Sequence, residues 1–225
     1  MAIFINLQNM DTFDFRTFVN ELNETAHSHP IGALQEIRAE LHGKRQAGSK
    51  IFDPKTITDD WAFHYGGRTE LQFNVGIDGL DDEMLRSGVA FSFEPSQTLP
   101  SIDVSIDKAK LLNDFLRLYP ELYGDMRMWH WRQGKRSSES TPGAIPPELA
   151  ENGVFIFLGN LRPFSELTPD KVLEDLDRLL PLYKYVESNG KTQPLPTASG
   201  KKFMFRSGRN SNLMTGFTFL VQSMS

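Results

Sequence analysis

Cysteine is missing from all 225 residues of the chain. Its absence excludes disulfides, thiolate zinc sites and cysteine nucleophiles, and it fits a reducing compartment. Apolar runs of the roughly 20 residues that a membrane-spanning helix needs are also missing. The first residues, Met1 to Leu7, have neither the basic region nor the long apolar core of a signal peptide. We therefore expect a cytoplasmic protein without membrane contacts.

A surplus of positive charge is missing too. The chain has 24 Lys and Arg against 29 Asp and Glu, a formal net charge of -5. This excludes a uniformly basic nucleic-acid binder but not a local basic surface, because binding depends on where the charge lies. Hydrophobic residues make up 39% and charged residues 24%, which is typical of a globular protein and not of a disordered one.

The apolar pattern is helical at first and then mainly strand-like. After Asp11 or Thr12, either of which can cap a helix, apolar residues recur at helical spacing. Alternating apolar and polar residues around Gly66-Gly67 predict a hairpin. The sequence therefore predicts an α+β fold with a mixed or mainly antiparallel sheet and flanking helices. We expect one domain over 1–225, with a helical part at 11–47 and a sheet-rich part at 51–225.

The predicted hairpin carries two acids at the spacing of a nuclease site. Asp60 begins the first arm, and Glu70 and Gln72 share one face of the second arm, because strand side chains alternate. Nucleases of the PD-(D/E)XK class place an Asp at a strand start and Glu-x-Lys on the next strand, where the carboxylates hold Mg²⁺. The spacing predicts Asp60 and Glu70 as metal ligands, and Asp60, Glu70 and Gln72 as catalytic residues. Gln72 occupies the position of the nuclease lysine but has no positive charge. The alternative interpretation is that these polar residues only form the solvent-exposed face of the hairpin.

Two runs of basic residues with interleaved aromatics point to nucleic acid. One includes Arg127 and Arg132 beside Trp129 and Trp131, and the other begins at Lys201. Lys and Arg release phosphate counterions, and aromatic rings stack on unpaired or flipped bases. Core packing of the tryptophans and a solvated face for the charges are the competing interpretations. The predicted DNA contacts are Arg68, Arg127, Trp129, Trp131, Arg132 and Lys202.

Three segments resemble a bacterial family of restriction-endonuclease-like proteins. They are 61–76, which reads WAFHYGGRTELQFNVG, 87–94, which reads SGVAFSFE, and 154–159, which reads VFIFLG. In the longer relatives such a domain precedes a separate nuclease module. The resemblance implies a role in DNA recognition, with a nuclease module or subunit as partner and without catalysis in this domain.

Three functions remain open from the sequence. The first is a DNA-binding domain of a restriction or defence nuclease. The second is an endonuclease in its own right, with Mg²⁺ held by Asp60 and Glu70. The third, from another class, is a protein-interaction or regulatory domain without nucleic acid or catalysis, which the acidic balance of the chain favours.

Overall fold

Capping residues mark three of the helix ends described here. The computed structural model describes residues 13–43, 50–66, 69–78, 80–81, 83–95, 101–195 and 204–207. Asp14 caps the first helix by accepting from the Thr17 amide, and Thr168 caps the last by accepting from the Lys171 amide. Gly43 ends the second helix with a φ of 60°. The α-helices in this part of the chain are α1 (Phe15–Thr25), α2 (Leu34–His42), α3 (Asp103–Leu118) and α4 (Pro169–Glu187).

The strands form a six-stranded sheet and a separate hairpin. The sheet has the order β1-β2-β3-β6-β4-β5, and every neighbouring pair is antiparallel. Its strands are β1 (Trp61–Phe63), β2 (Gln72–Ile77), β3 (Met84–Ser92), β4 (Arg127–Arg132), β5 (Lys135–Arg136) and β6 (Val154–Pro163). The hairpin pairs β7 (Thr192–Leu195) with β8 (Met204–Ser207). The predicted α+β class with an antiparallel sheet is confirmed.

Side-chain alternation gives the six-stranded sheet two different faces. On the helix face, Phe73 packs against Tyr183 of α4 with ring centroids 5.3 Å apart, and Ser87 donates to Asp175 of α4 over 2.9 Å. This face and the helices share one large apolar core, in which each fully buried Leu or Phe contributes about 1.5–3 kcal/mol. The opposite face, here called the second face, carries a smaller cluster of Ala90, Trp129, Trp131, Phe155, Phe157 and Leu161.

An ion pair across the second face shows how strongly the sheet curls. Asp78 directly follows β2 and Arg136 lies in β5, with β3, β6 and β4 between them. At about 4.8 Å between neighbouring strands, a flat sheet would hold β2 and β5 roughly 19 Å apart. Arg136 Nε nevertheless lies 2.8 Å from Asp78 Oδ1, and both side chains are almost completely buried. The second face is therefore concave.

No helix in the described part of the chain is both long enough and apolar enough to cross a membrane.

Candidate ligand pocket on the concave sheet face

A cavity of about 450 Å³ lies on the second face. β2 and β3 lie between β1 and β6 in the sheet. Aromatic residues of β1 and β6 therefore lie on either side of a polar floor formed by β2 and β3. The residues that matter for its chemistry are Trp61, Phe63, Gln72, Asn74, Arg86 and Phe155. We call this cavity the aromatic pocket.

The register of the strands brings these side chains together. Phe63 of β1 pairs with Asn74 of β2, and Trp61 pairs with Gly76. Gly76 pairs in turn with Arg86 of β3. A Cβ atom at Gly76 would lie 2.6 Å from the Arg86 guanidinium carbon, so the glycine leaves the space that the guanidinium occupies.

One wall of the pocket is a stacked pair of aromatic rings. The centroids of Trp61 and Phe63 are 5.0 Å apart with an angle of 19° between the ring planes. Trp61 keeps 36% of its surface exposed, whereas Phe63 is half-buried beneath it. Such a wall offers a π face to a planar ligand, and base–aromatic stacking contributes about 1–3 kcal/mol per base.

The floor of the pocket is a pair of hydrogen-bonded amides. Asn74 Nδ2 donates to Gln72 Oε1 over 3.0 Å, and both residues are buried. Asn74 Oδ1 is buried as well, and no donor among the described residues reaches it. A buried acceptor without a donor costs about 1–3 kcal/mol. A ligand with an N–H or O–H group would donate to this oxygen and remove that cost.

Arg86 places a fixed positive charge at the end of the pocket. Its guanidinium carbon lies 5.4 Å from the ring centroid of Trp131 and 5.9 Å from that of Phe157, and Nη1 donates to the Ile77 carbonyl. Burial lowers the pKa of Arg86 to about 10, against the opposing effect of the nearby Asp78 carboxylate. The group is therefore cationic at neutral pH.

The hairpin acids that the sequence singled out do not share a site. The Asp60 carbonyl accepts from the Ile77 amide over 2.7 Å at the far end of β2, whereas Glu70 precedes the near end of β2. The Asp60 side chain is exposed and accepts from the Thr58 hydroxyl. Glu70 reaches α4 on the helix face, and Gln72 lines the pocket on the second face. The prediction that Glu70 and Gln72 share a face is wrong, because Glu70 lies outside the regular strand.

Glu70 instead lies at the centre of a buried polar network. Its carboxylate accepts from Arg38 over 2.8 and 3.0 Å and from the Tyr183 hydroxyl over 2.6 Å. His64 Nδ1 accepts from the Phe73 amide, so the His64 proton lies on Nε2, 3.2 Å from Glu70. Burial lowers the pKa of His64. Burial opposes ionisation of Glu70, but the bonds from His64 and Arg38 outweigh it and hold the pKa of Glu70 far below its usual range.

The metal prediction for Asp60 and Glu70 finds no supporting geometry. Within the described ranges, no three His, Asp or Glu side chains are grouped so as to hold a metal ion. A role for Mg²⁺ in this chain stays a prediction.

The predicted DNA-contact residues fall into three groups. Trp129 and Trp131 lie on the second face, where Trp129 is 2% exposed and packs on Phe157 with ring centroids 4.7 Å apart. Arg132 is 2.9 Å from Glu151, whereas Arg127 is exposed. Arg68 and Lys202 lie outside the described residues.

The first basic run is therefore only partly available to phosphate. Arg136 is buried against Asp78, and Arg132 is paired with Glu151. Arg127 and Lys135 are the exposed cations of this run.

Sequence reasoning missed Asn74, Arg86 and the Trp61–Phe63 wall. The usable signal was the pattern Gln72-x-Asn74, which places two amides on one face of a strand. Nothing in the sequence shows that this face is concave, because the Arg136–Asp78 contact joins residues far apart in the chain.

Comparisons of the chain with protein-family models, with curated proteins and with solved structures give no significant match.

Proposed function

We propose that the chain is a DNA-binding domain of a bacterial restriction or defence nuclease, acting in the cytoplasm, and that the aromatic pocket takes one extruded base. The observation that carries the proposal is the buried Asn74 Oδ1, which no donor among the described residues reaches, in a cavity walled by stacked aromatic rings. Enzymes and readers that extrude a base hold it by stacking and by hydrogen bonds to its edge. The pocket offers both.

The resemblance to restriction-endonuclease-like proteins supports the same function. The segments that carry it, 61–76, 87–94 and 154–159, supply most of the residues that line the pocket. Two further lining residues, Arg86 and Gly153, directly precede the second and third segments. The proposal therefore rests on the same strands as the resemblance.

Cleavage, in this proposal, belongs to a separate nuclease module or subunit. Asp60 and Glu70 lie at opposite ends of β2. The Glu70 carboxylate forms hydrogen bonds with Arg38, His64 and Tyr183. Such a carboxylate is already fully engaged within the fold. The domain itself recognises DNA and positions its partner.

The first basic run, which the structure describes in full, offers few phosphate contacts. The exposed cations of the first basic run are Arg127 and Lys135, and the net charge of the chain is -5. For each phosphate that the protein neutralises, the slope of log K against log salt concentration falls by about 0.9. Two phosphate contacts, from Arg127 and Lys135, therefore give a slope of about -2. A dedicated backbone binder would show a much steeper slope.

The test compares two 20-bp duplexes, one fully paired and one with a central mismatch, by fluorescence anisotropy. A mismatched base costs less to extrude, so we expect tighter binding of the mismatched duplex. Trp61→Ala should weaken that binding about tenfold by removing the stacking wall. Leu118→Ala, which truncates a half-exposed apolar residue on α3, is the matched control. Equal and Trp61-independent binding of both duplexes would show that no base enters the aromatic pocket, and the absence of binding to either duplex would favour a protein-interaction or regulatory domain.

A further inference from the structure

We infer that Asn74 and Gln72 read the hydrogen-bonding edge of the base, so that the pocket selects a base with a free N–H group and rejects the same base alkylated at that nitrogen. The inference rests on the proposed function and specifies what the pocket requires of its ligand.

The surroundings of Asn74 explain why no donor in the described part of the chain reaches its oxygen. Its register partners on the second face are Phe63 in β1 and Gly88 in β3. The next second-face residue along β2 is Gly76. None of these three side chains carries a polar group, and the Arg86 guanidinium, which fills the space over Gly76, makes no hydrogen bond to Asn74 Oδ1. A ligand in the cavity is therefore the donor that we infer for this oxygen.

The bond between the two amides fixes which group each one offers. Because Asn74 Nδ2 donates to Gln72 Oε1, Asn74 presents an acceptor and Gln72 retains Nε2 as the donor end of the pair. The floor therefore presents an acceptor next to a donor. The Watson–Crick edge of each neutral base has the complementary pair, an N–H beside a carbonyl oxygen or ring nitrogen.

The charges around the pocket favour a neutral ligand over an anion. Glu94 also lines the cavity, and the cation of Arg86 is held by aromatic rings and by the Ile77 carbonyl. An anion would meet the lone pairs of Asn74 Oδ1. A neutral heterocycle with an N–H group donates to this oxygen instead.

The experiment uses single-stranded 12-mers in which one base is flanked by abasic spacers, so that extrusion costs nothing and a single base can occupy the pocket. All four bases are titrated, and the tightest is compared with its N-alkylated form: N3-methylthymine, N4,N4-dimethylcytosine, N6,N6-dimethyladenine or N1-methylguanine. We expect alkylation to weaken binding by about ten- to a hundredfold, since it leaves Asn74 Oδ1 without a donor. In Asn74→Leu the difference should disappear.

Stability separates a reading role from a structural one. Asn74→Leu removes a buried oxygen that no donor of the described residues reaches, but it also removes the donor to Gln72 Oε1. These effects oppose each other, so we expect the melting temperature to stay within a few degrees of the parent's. Lower stability with an unchanged N–H preference would show that Asn74 serves the fold and would overturn the inference. If the variant fails to fold, the alkylation comparison on the parent protein decides.

The outcomes separate the two proposals. Equal binding of the free and alkylated bases, with Trp61→Ala still weakening both, overturns the inference and leaves the proposed function standing. No binding of any oligonucleotide overturns both.

Discussion

The guanidinium of Arg38 binds both carboxylate oxygens of Glu70, with Nε 2.8 Å from Oε2 and Nη2 3.0 Å from Oε1. Both side chains are buried. This bidentate pair ties α2 to the segment that enters β2, and the Tyr183 hydroxyl ties the same carboxylate to α4. The Glu70 carboxylate therefore joins three parts of the fold, α2, α4 and the segment before β2, and stabilises their packing.

Glu70→Gln should therefore destabilise the fold and leave base binding unchanged. Removing one partner of a buried ion pair costs about 3–5 kcal/mol, and because glutamine keeps part of the bonding we expect a loss of about 2 kcal/mol in urea unfolding. Asp59→Asn is the control: it breaks an ion pair with Arg16 that is largely exposed, which is worth less than about 1 kcal/mol. A Glu70→Gln protein of parental stability that no longer binds DNA would assign Glu70 to function instead.

The sequence predicts the elements of this fold better than their contacts. Local sequence patterns are sufficient to predict α4, because Thr168 and Pro169 mark its start. They are also sufficient to predict β4, because the alternation of side chains places Met128 and Trp129 on opposite faces. Glu70 shows the limit. Its partners Arg38 and Tyr183 lie 32 and 113 residues away, so no local pattern distinguishes this buried carboxylate from a metal ligand.

The Arg136–Asp78 pair should be important for closing the concave face. Asp78→Asn leaves the buried Arg136 charge without its main partner, which we expect to cost about 3 kcal/mol. In the double variant Asp78→Leu/Arg136→Met part of the stability should return, because the unpaired Arg136 charge is gone while Arg86 still loses the nearby Asp78 carboxylate. Asp107→Asn, which breaks an exposed pair with Lys110 on α3, is the control. If the losses of the single variants Asp78→Leu and Arg136→Met simply add in the double variant, the two residues do not stabilise each other.

His29 should make the stability of the protein depend on pH above 6.5. Its Nδ1 lies 2.8 Å from Asp177 and its Nε2 3.1 Å from Asp170, and only the protonated ring donates to both. Burial opposes protonation, but the bonds to Asp177 and Asp170 outweigh it and raise the pKa of His29 above 6.5. The stabilisation is therefore complete below pH 6.5 and is lost as the pH rises through the folded-state pKa. Urea unfolding of the parent should weaken over that range relative to His29→Gln, and parallel pH profiles would refute the assignment.

Gly88 and Gly159 face each other in the register of β3 and β6, at the centre of the concave face. A Cβ at Gly88 would lie 2.8 Å from the Gly159 Cα and would overlap the Leu158 carbonyl oxygen. Because both obstacles are backbone atoms, Gly88→Ala can be accommodated only by moving β6 away from β3. We expect a loss of about 1–3 kcal/mol, which lowers the melting temperature by roughly 2–4 °C per kcal/mol in a chain of this size.

Gly124→Ala provides the matched control for this substitution. Gly124 has open space around its Cβ position, so the same change there should leave the melting temperature within about 1 °C. Gly88 also pairs with Asn74, so displacing β3 moves the pocket floor, and base binding should weaken in Gly88→Ala but not in Gly124→Ala. Parental stability of Gly88→Ala would mean that β3 and β6 are not held this close, and that the depth of the pocket does not depend on the paired glycines.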